Sequence, residues 1–211
     1  MKRMLLSVLS TFVLSACSVG EYSYDKAALD KTDMNFVGIP TILGAGALGS
    51  SVPITPEYSL TVAHVAKYMM YKVKAYHPSC DLALVYHKNN ESSFPTFRNS
   101  VIGENVNMYG YSYFSAMPVS SSGKTLSNSE VVSKWNKADC VLVATSAGAV
   151  QGMSGGAVYN EKDNTLAGIV QGYASSLKDI KHPEKDMFKN VSFYIPYLQF
   201  KDWLNKEINA K

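Results

Sequence analysis

From residue 36 onward, apolar and polar positions alternate in short runs broken by Gly, Pro and Ser, a pattern of strands and not of long amphipathic helices. Phe36-Val37-Gly38-Ile39 and Thr41-Ile42-Leu43 read as strands, and Gly44-Ala45-Gly46-Ala47-Leu48 puts glycines where strands pass closely or bulge. Pro53-Ile54-Thr55-Pro56-Glu57-Tyr58 reads as a turn before a further strand, Ser59-Leu60-Thr61-Val62-Ala63-His64. Residues 155–159 also read as strand. Ser, Thr, Asn, Tyr and Val are plentiful, so an all-β chain is expected. Residues 19–35 read as a polar tether.

The first residues follow a different pattern. Lys2 and Arg3 precede an apolar core at residues 4–14 and the small pair Ser15-Ala16, which together form a secretory signal too short to span a bilayer as a helix. Leu14-Ser15-Ala16-Cys17 resembles the bacterial lipobox. The resemblance implies cleavage before Cys17, a diacylglycerol on its sulfur and a fatty acyl group on its new amine. Ser18, standing where an Asp would retain the protein elsewhere, implies the outer membrane, facing the periplasm. Residues 1–16 are then signal and 17–35 a lipidated tether. No later apolar run is long enough to cross a bilayer.

With 46% apolar and 18% charged positions in 211 residues, the chain is globular, of one domain or two small ones. Removing the signal leaves 195 residues and takes Lys2 and Arg3 away, so the formal charge falls from +3 to +1. So small a balance implies no strong attraction to nucleic acid or anionic lipid, and the anchor is lipid rather than charge.

The chemistry points to Gln151-Gly152-Met153-Ser154-Gly155-Gly156-Ala157-Val158, which closes the small-residue run Thr145-Ser146-Ala147-Gly148-Ala149-Val150. A serine flanked by glycines suggests a backbone bent tightly enough to aim N–H groups and one hydroxyl at a single point. Acyl transfer needs that arrangement: a nucleophile, and donors for the oxygen that becomes negative in the tetrahedral intermediate.

Three segments together resemble the chymotrypsin-like serine peptidases. Residues 54–64, ending at His64, are similar to the histidine segment I-S-P-x-x-V-L-T-A-A-H. Ser79-Cys80-Asp81-Leu82-Ala83-Leu84-Val85 is similar to the aspartate segment D-I/L-A-L, and Gly152-Met153-Ser154-Gly155-Gly156 to G-D/N-S-G-G. They occur in the family's order of His, Asp and Ser. Leu166-Ala167-Gly168-Ile169-Val170-Gln171-Gly172 resembles the strand lining the specificity pocket. Residues 192–197 and 200–204 resemble the final strand and closing helix, in which Leu198, Trp203 and Leu204 are expected to pack inward and Lys201, Asp202, Lys206 and Glu207 to face water.

The resemblance implies two antiparallel six-stranded β-barrels, at residues 36–98 and 99–196, with a C-terminal α-helix at 197–211 and a link near 94–100. It implies that Ser154 attacks a peptide carbonyl, His64 takes the proton, Asp81 orients the imidazole, and the N–H groups of Gly152 and Ser154 hold the oxyanion. Substrates are then proteins or peptides, cut without cofactor or metal by a monomer. The implied substrate pocket comprises Gly148, Ala149, Gln171, Tyr173 and Ser192; it has no carboxylate at its floor and so no built-in preference for Arg or Lys. His64 and Asp81 stand only 17 positions apart, short for the family, so two strands have to fit in and around residues 71–76. Met153 stands where relatives activated by trimming carry an aspartate, and no zymogen switch of that kind is expected. Family geometry brings Cys80 near Cys140, which implies a disulfide joining the barrels.

Three other readings touch the same residues. Gly152-x-Ser154-x-Gly156 also fits the nucleophile elbow of an α/β-hydrolase-type esterase, with Asp179 and His182 following, but little chain remains for that architecture. His77, Cys80, Asp81 and His87 match no standard zinc spacing. A barrel pair kept as a silent binding module, with its triad idle, is the alternative from another functional class.

Overall fold

The sheets and helices are assembled from short segments whose buried faces meet between the two halves of the chain. The computed structural model describes residues 18–38, 46–136, 138–178 and 186–210, without the side chains of 128–130, 177, 178 and 186. Cys17, Asp179 and His182 lie outside them.

Chain order begins with β1 (Ser18–Val19), β2 (Ser23–Tyr24) and a 3-10 helix (Lys26–Asp30) whose N-terminal Ala27 N–H is capped by the Asp25 carboxylate at 2.8 Å. The expectation of a free polar tether fails here. β1 pairs with β11 (Ala149–Val150), β2 pairs with β9 (Pro118–Trp135), and Val19, Ala28, Thr32 and Asn35 are all buried. Val19 and Ala28 supply the apolar contact, while the Thr32 hydroxyl is satisfied by the Ala28 carbonyl at 3.0 Å, so a polar-looking segment still packs.

The N-terminal half is one antiparallel sheet ordered β3-β4-β5-β7-β6, made of β3 (Asp33–Gly38), β4 (Gly46–Pro53), β5 (Tyr58–Thr61), β6 (Val73–Tyr76) and β7 (Ala83–Tyr86). It has five paired strands among the described residues, and the expected strand Thr41-Ile42-Leu43 lies outside them. The expected strand ending at His64 stops at Thr61, and α1 (Ala63–Tyr68) uses up the short interval before Asp81, leaving room for β6 alone. That helix lies close on β4: a Cβ at Gly49 would come within 2.7 Å of the Val65 methyls.

The C-terminal half closes on itself. β8 (Asn105–Tyr111) pairs with β9, β9 with β10 (Ala138–Thr145), β10 with β14 (Asp186–Pro196), β14 with β13 (Leu166–Lys178), β13 with β12 (Ala157–Asn160), and β12 returns to β8. Six strands therefore form a ring without free edges. Val106, Met108, Val158, Val170 and Tyr194 fill one cluster in this half, and it also includes Val19 and Met153. A second cluster joins Leu60, Leu82 and Leu84 of the first half to Leu142, Ile169 and Ile195 of the second.

The closing helix α2 (Tyr197–Asn209) turns Phe200 and Leu204 inward, four residues apart on one face. Leu198, expected to face inward, is 61% exposed, because it falls off that stripe. The disulfide between Cys80 and Cys140 ties the turn before β7 to β10, joining the halves across a sequence separation of 60.

Candidate active site

His64 lies in the first turn of α1, a helix whose N-cap residue, Val62, offers no side-chain cap. Asp81 supplies what is missing. Its Oδ1 accepts from the His64 backbone N–H at 3.0 Å, and its Oδ2 stands 2.6 Å from His64 Nδ1. One carboxylate thus fixes both the backbone and the ring of the same residue. Asp81 is 6% exposed in its side chain and His64 35%. To reach a carboxylate, Nδ1 must carry the proton, which leaves Nε2 with a lone pair on the open side of the ring.

Ser154 sits between two sharp turns. Gly152 has φ +101° and Gly155 φ +87°, values that disfavour any residue with a Cβ. Space forbids one as well: a Cβ at Gly155 would lie 2.0 Å from the Ser50 carbonyl oxygen, and one at Gly152 2.6 Å from that of Tyr111. In this loop the N–H groups of Met153, Gly155 and Gly156 donate to Val150, Val170 and Met153, whereas those of Gly152 and Ser154 meet no acceptor among the described residues. Two alternate donors are left free, as an oxyanion site requires. The Ser154 hydroxyl donates to the Gln171 carbonyl at a long 3.4 Å, and no hydrogen bond joins it to His64 in this conformation.

His64 and Ser154 border one cavity of about 250 Å³ between the two halves, shared with Leu48, Val65, Tyr68, Met69 and Tyr113. Apart from the imidazole, its lining carries no ionisable side chain other than the two phenols.

Solved structures share this architecture. The protease Rv3671c of M. tuberculosis in its active form aligns over 90% of this chain and 89% of its own, with a TM-score of 0.64 and 16% identity. Its inactive form aligns over 89% and 98%, with a TM-score of 0.61 and 18% identity. The MamO protease domain from Magnetospirillum magneticum aligns over 82% and 95%, with a TM-score of 0.61 and 18% identity. These neighbours are trypsin- and chymotrypsin-like serine proteases. The chain has the chymotrypsin-like fold. Identities this low carry the fold alone. No protein-family model matches the sequence, and no curated protein matches it.

Within the chymotrypsin-like fold, none of the five residues expected in the substrate pocket lines the cavity that holds His64 and Ser154. Gly148 is buried against the N-terminal segment, where a Cβ would meet the Glu21 carbonyl oxygen at 2.3 Å. Ala149 is 1% exposed and paired to Val19. Gln171 and Tyr173 are half-buried on β13, and Ser192 is buried on β14 opposite Tyr173, its hydroxyl without a partner among the described residues. The metal reading loses its thiolate, since the Cys80 sulfur is bonded to Cys140. His77 is also fully used: Nδ1 accepts from the Cys80 N–H at 2.9 Å and Nε2 donates to the Gln199 carbonyl at 3.1 Å.

Two supporting residues escaped the sequence reading. Ser50 is wholly buried; its hydroxyl donates to the Gly152 carbonyl at 2.9 Å and accepts from the Tyr111 N–H at 3.0 Å, while its own N–H donates to the Ser154 carbonyl at 2.9 Å. Tyr113 donates to the Gly46 carbonyl at 3.1 Å and takes the Gln151 carbonyl on its N–H at 2.7 Å. The only hint was a polar residue inside a strand whose neighbours are all buried.

Proposed function

We propose that this chain is a serine endopeptidase, held by lipid on Cys17 at a bacterial envelope, outer membrane and periplasmic side. The observation that carries the reading is the doubly bonded Asp81–His64 pair, with Ser154 on the lip of the same cavity.

Rotation about the Ser154 Cα–Cβ bond exchanges its long contact with Gln171 for one with His64 Nε2; such bonds are commonly loose before substrate enters. Nε2 then takes the hydroxyl proton as Oγ bonds to the substrate carbonyl carbon. Asp81 favours the imidazolium, and the free N–H groups of Gly152 and Ser154 receive the oxyanion. The imidazolium returns its proton to the leaving amine as the C–N bond breaks. Water, deprotonated by His64, releases the acyl group.

Because β1 docks at Ser18 and no slack follows it, an anchor at Cys17 would hold the catalytic cleft close to the bilayer and restrict substrates to that surface. No helix among the described residues is long and apolar enough to cross a membrane.

The test is labelling of folded protein with a fluorophosphonate. An adduct on Ser154 that disappears in His64→Ala supports the peptidase. A folded protein that takes no label, while the fluorophosphonate labels a control peptidase, speaks for the silent binding module. Detergent-phase partition of the full chain, lost in Cys17→Ser, tests the anchor separately.

A further inference from the structure

The cavity beside His64 is not where the expected pocket residues stand. Its walls are apolar and aromatic. Leu48 comes from β4, Val65 and Tyr68 from α1, Met69 from its C-cap, and Tyr113 from the loop after β8. Tyr113 is pinned by its hydroxyl to Gly46 across the cleft, so the wall is set by a bond between the halves.

Position relative to the proton path decides which part of a substrate enters. Val65, Tyr68 and Met69 continue from His64 along its own helix, so the recess extends on the imidazole side of Ser154. On the other side Ser154 meets Gln171 of β13. The imidazolium must deliver its proton to the leaving nitrogen, so the chain carrying that nitrogen passes the ring on the imidazole side. A volume near 250 Å³ corresponds to roughly eight waters at about 30 Å³ each, the space of one large side chain. A charged side chain would find no carboxylate, ammonium or guanidinium in the lining to offset its desolvation.

Resting on the peptidase reading, we propose that this cavity selects a large apolar or aromatic side chain on the residue immediately following the cut. Substrate choice on that side is then made by Leu48, Val65, Tyr68, Met69 and Tyr113.

Two measurements test it, one of them independent of turnover. Wild-type protein, soluble from residue 18, is given peptides randomised around one cleavable bond, and the products are sequenced. Phe, Tyr, Leu or Met should follow the cut at least about tenfold more often than Gly, Asp or Lys, the discrimination a hydrophobic pocket achieves. Tyr68→Ala, a change at a side chain that is 70% exposed and so safe for folding, should weaken that preference. Cleavage with no preference, or with charged residues favoured, overturns the inference and leaves the peptidase reading standing. In the second measurement, Ser154→Ala is titrated with Phe-Ser-Ala-Ala-amide and Gly-Ser-Ala-Ala-amide and followed by NMR. The Phe peptide should bind at least about tenfold tighter and shift the methyl signals of Leu48, Val65 and Met69. Equal binding, or shifts elsewhere, refutes the assignment whether or not the wild type cuts anything.

Discussion

The Ser50 hydroxyl donates to the carbonyl oxygen of Gly152 at 2.9 Å, a bond between residues 102 positions apart that sets the loop carrying Ser154 against the N-terminal sheet. The Ser50 hydroxyl oxygen in turn accepts from the Tyr111 N–H at 3.0 Å. Ser50→Ala therefore removes a donor and orphans a buried N–H, which costs about 1–3 kcal/mol. If the loop tilts, the donors of Gly152 and Ser154 lose their aim, and each ~1.4 kcal/mol lost in the transition state is a factor of ten in rate. The expected outcome is a folded variant with lower kcat and a KM close to the parent's. Urea unfolding and peptide hydrolysis measured together check it, and an unchanged kcat would contradict it.

On the opposite side the loop is held by the N-terminal segment. Val19 pairs with Ala149, is 5% exposed, and shares a buried cluster with Val150 and Met153, the residue before Ser154. Val19→Ala removes two methyl groups from that contact, which at ~0.8 kcal/mol per carbon, plus a cavity, costs roughly 2–3 kcal/mol. Starting the chain at Ser23 should cost more and depress labelling of Ser154, as read by fluorophosphonate uptake per folded molecule. Full labelling by a chain so shortened would show the segment to be dispensable.

What the sequence made legible was whatever lies contiguous along it. His64, Asp81 and Ser154 each sit in a run of neighbours with its own turn and strand chemistry, and the glycines at 152 and 155 are demanded by positive φ. The support was not legible, because Ser50, Tyr113 and His77 act through bonds that span 122 positions in the longest case, from His77 to Gln199. Residues 19–35 misled for a related reason. Tyr22, Tyr24, Leu29 and Met34 stay exposed, and the segment is held instead by strand pairing of β1 and β2 and by the buried Val19 and Ala28, which composition does not reveal.

The Cys80–Cys140 bond closes a sequence separation of 60, and constraining a loop of that length in the unfolded chain corresponds to about 4 kcal/mol at most. The pair Cys80→Ser and Cys140→Ser should lower stability by roughly 2–4 kcal/mol, or Tm by roughly 5–15 °C for a chain of this size. Cys80 also neighbours Asp81, so loss of the bond should loosen the carboxylate that holds His64. Calorimetry of the double variant beside parent protein kept oxidised checks the first effect, and hydrolysis by the same samples the second.

His77 makes the site's frame sensitive to pH. Its Nδ1 accepts from the backbone N–H of Cys80 at 2.9 Å and of Ser79 at 3.2 Å, its Nε2 donates to Gln199 of α2 at 3.1 Å, and its ring meets Trp203 edge-on. A second proton on Nδ1 would break both accepted bonds in the turn that leads to Asp81. Burial pushes the His77 pKa below its ordinary 6.5, the Gln199 bond opposing this in part. The unfolded chain then binds more protons than the native one below neutrality, so stability rises with pH across that interval. The contribution is complete above about pH 6.5 and is lost as pH falls through the lowered native value. His77→Gln should be less stable than the parent at pH 8 by about 1–3 kcal/mol, through the lost bonds. That gap should narrow steadily toward pH 5 when urea midpoints are compared. Parallel curves for the two proteins would mean that the imidazole keeps its charge state throughout and plays no part in the acid sensitivity of the fold.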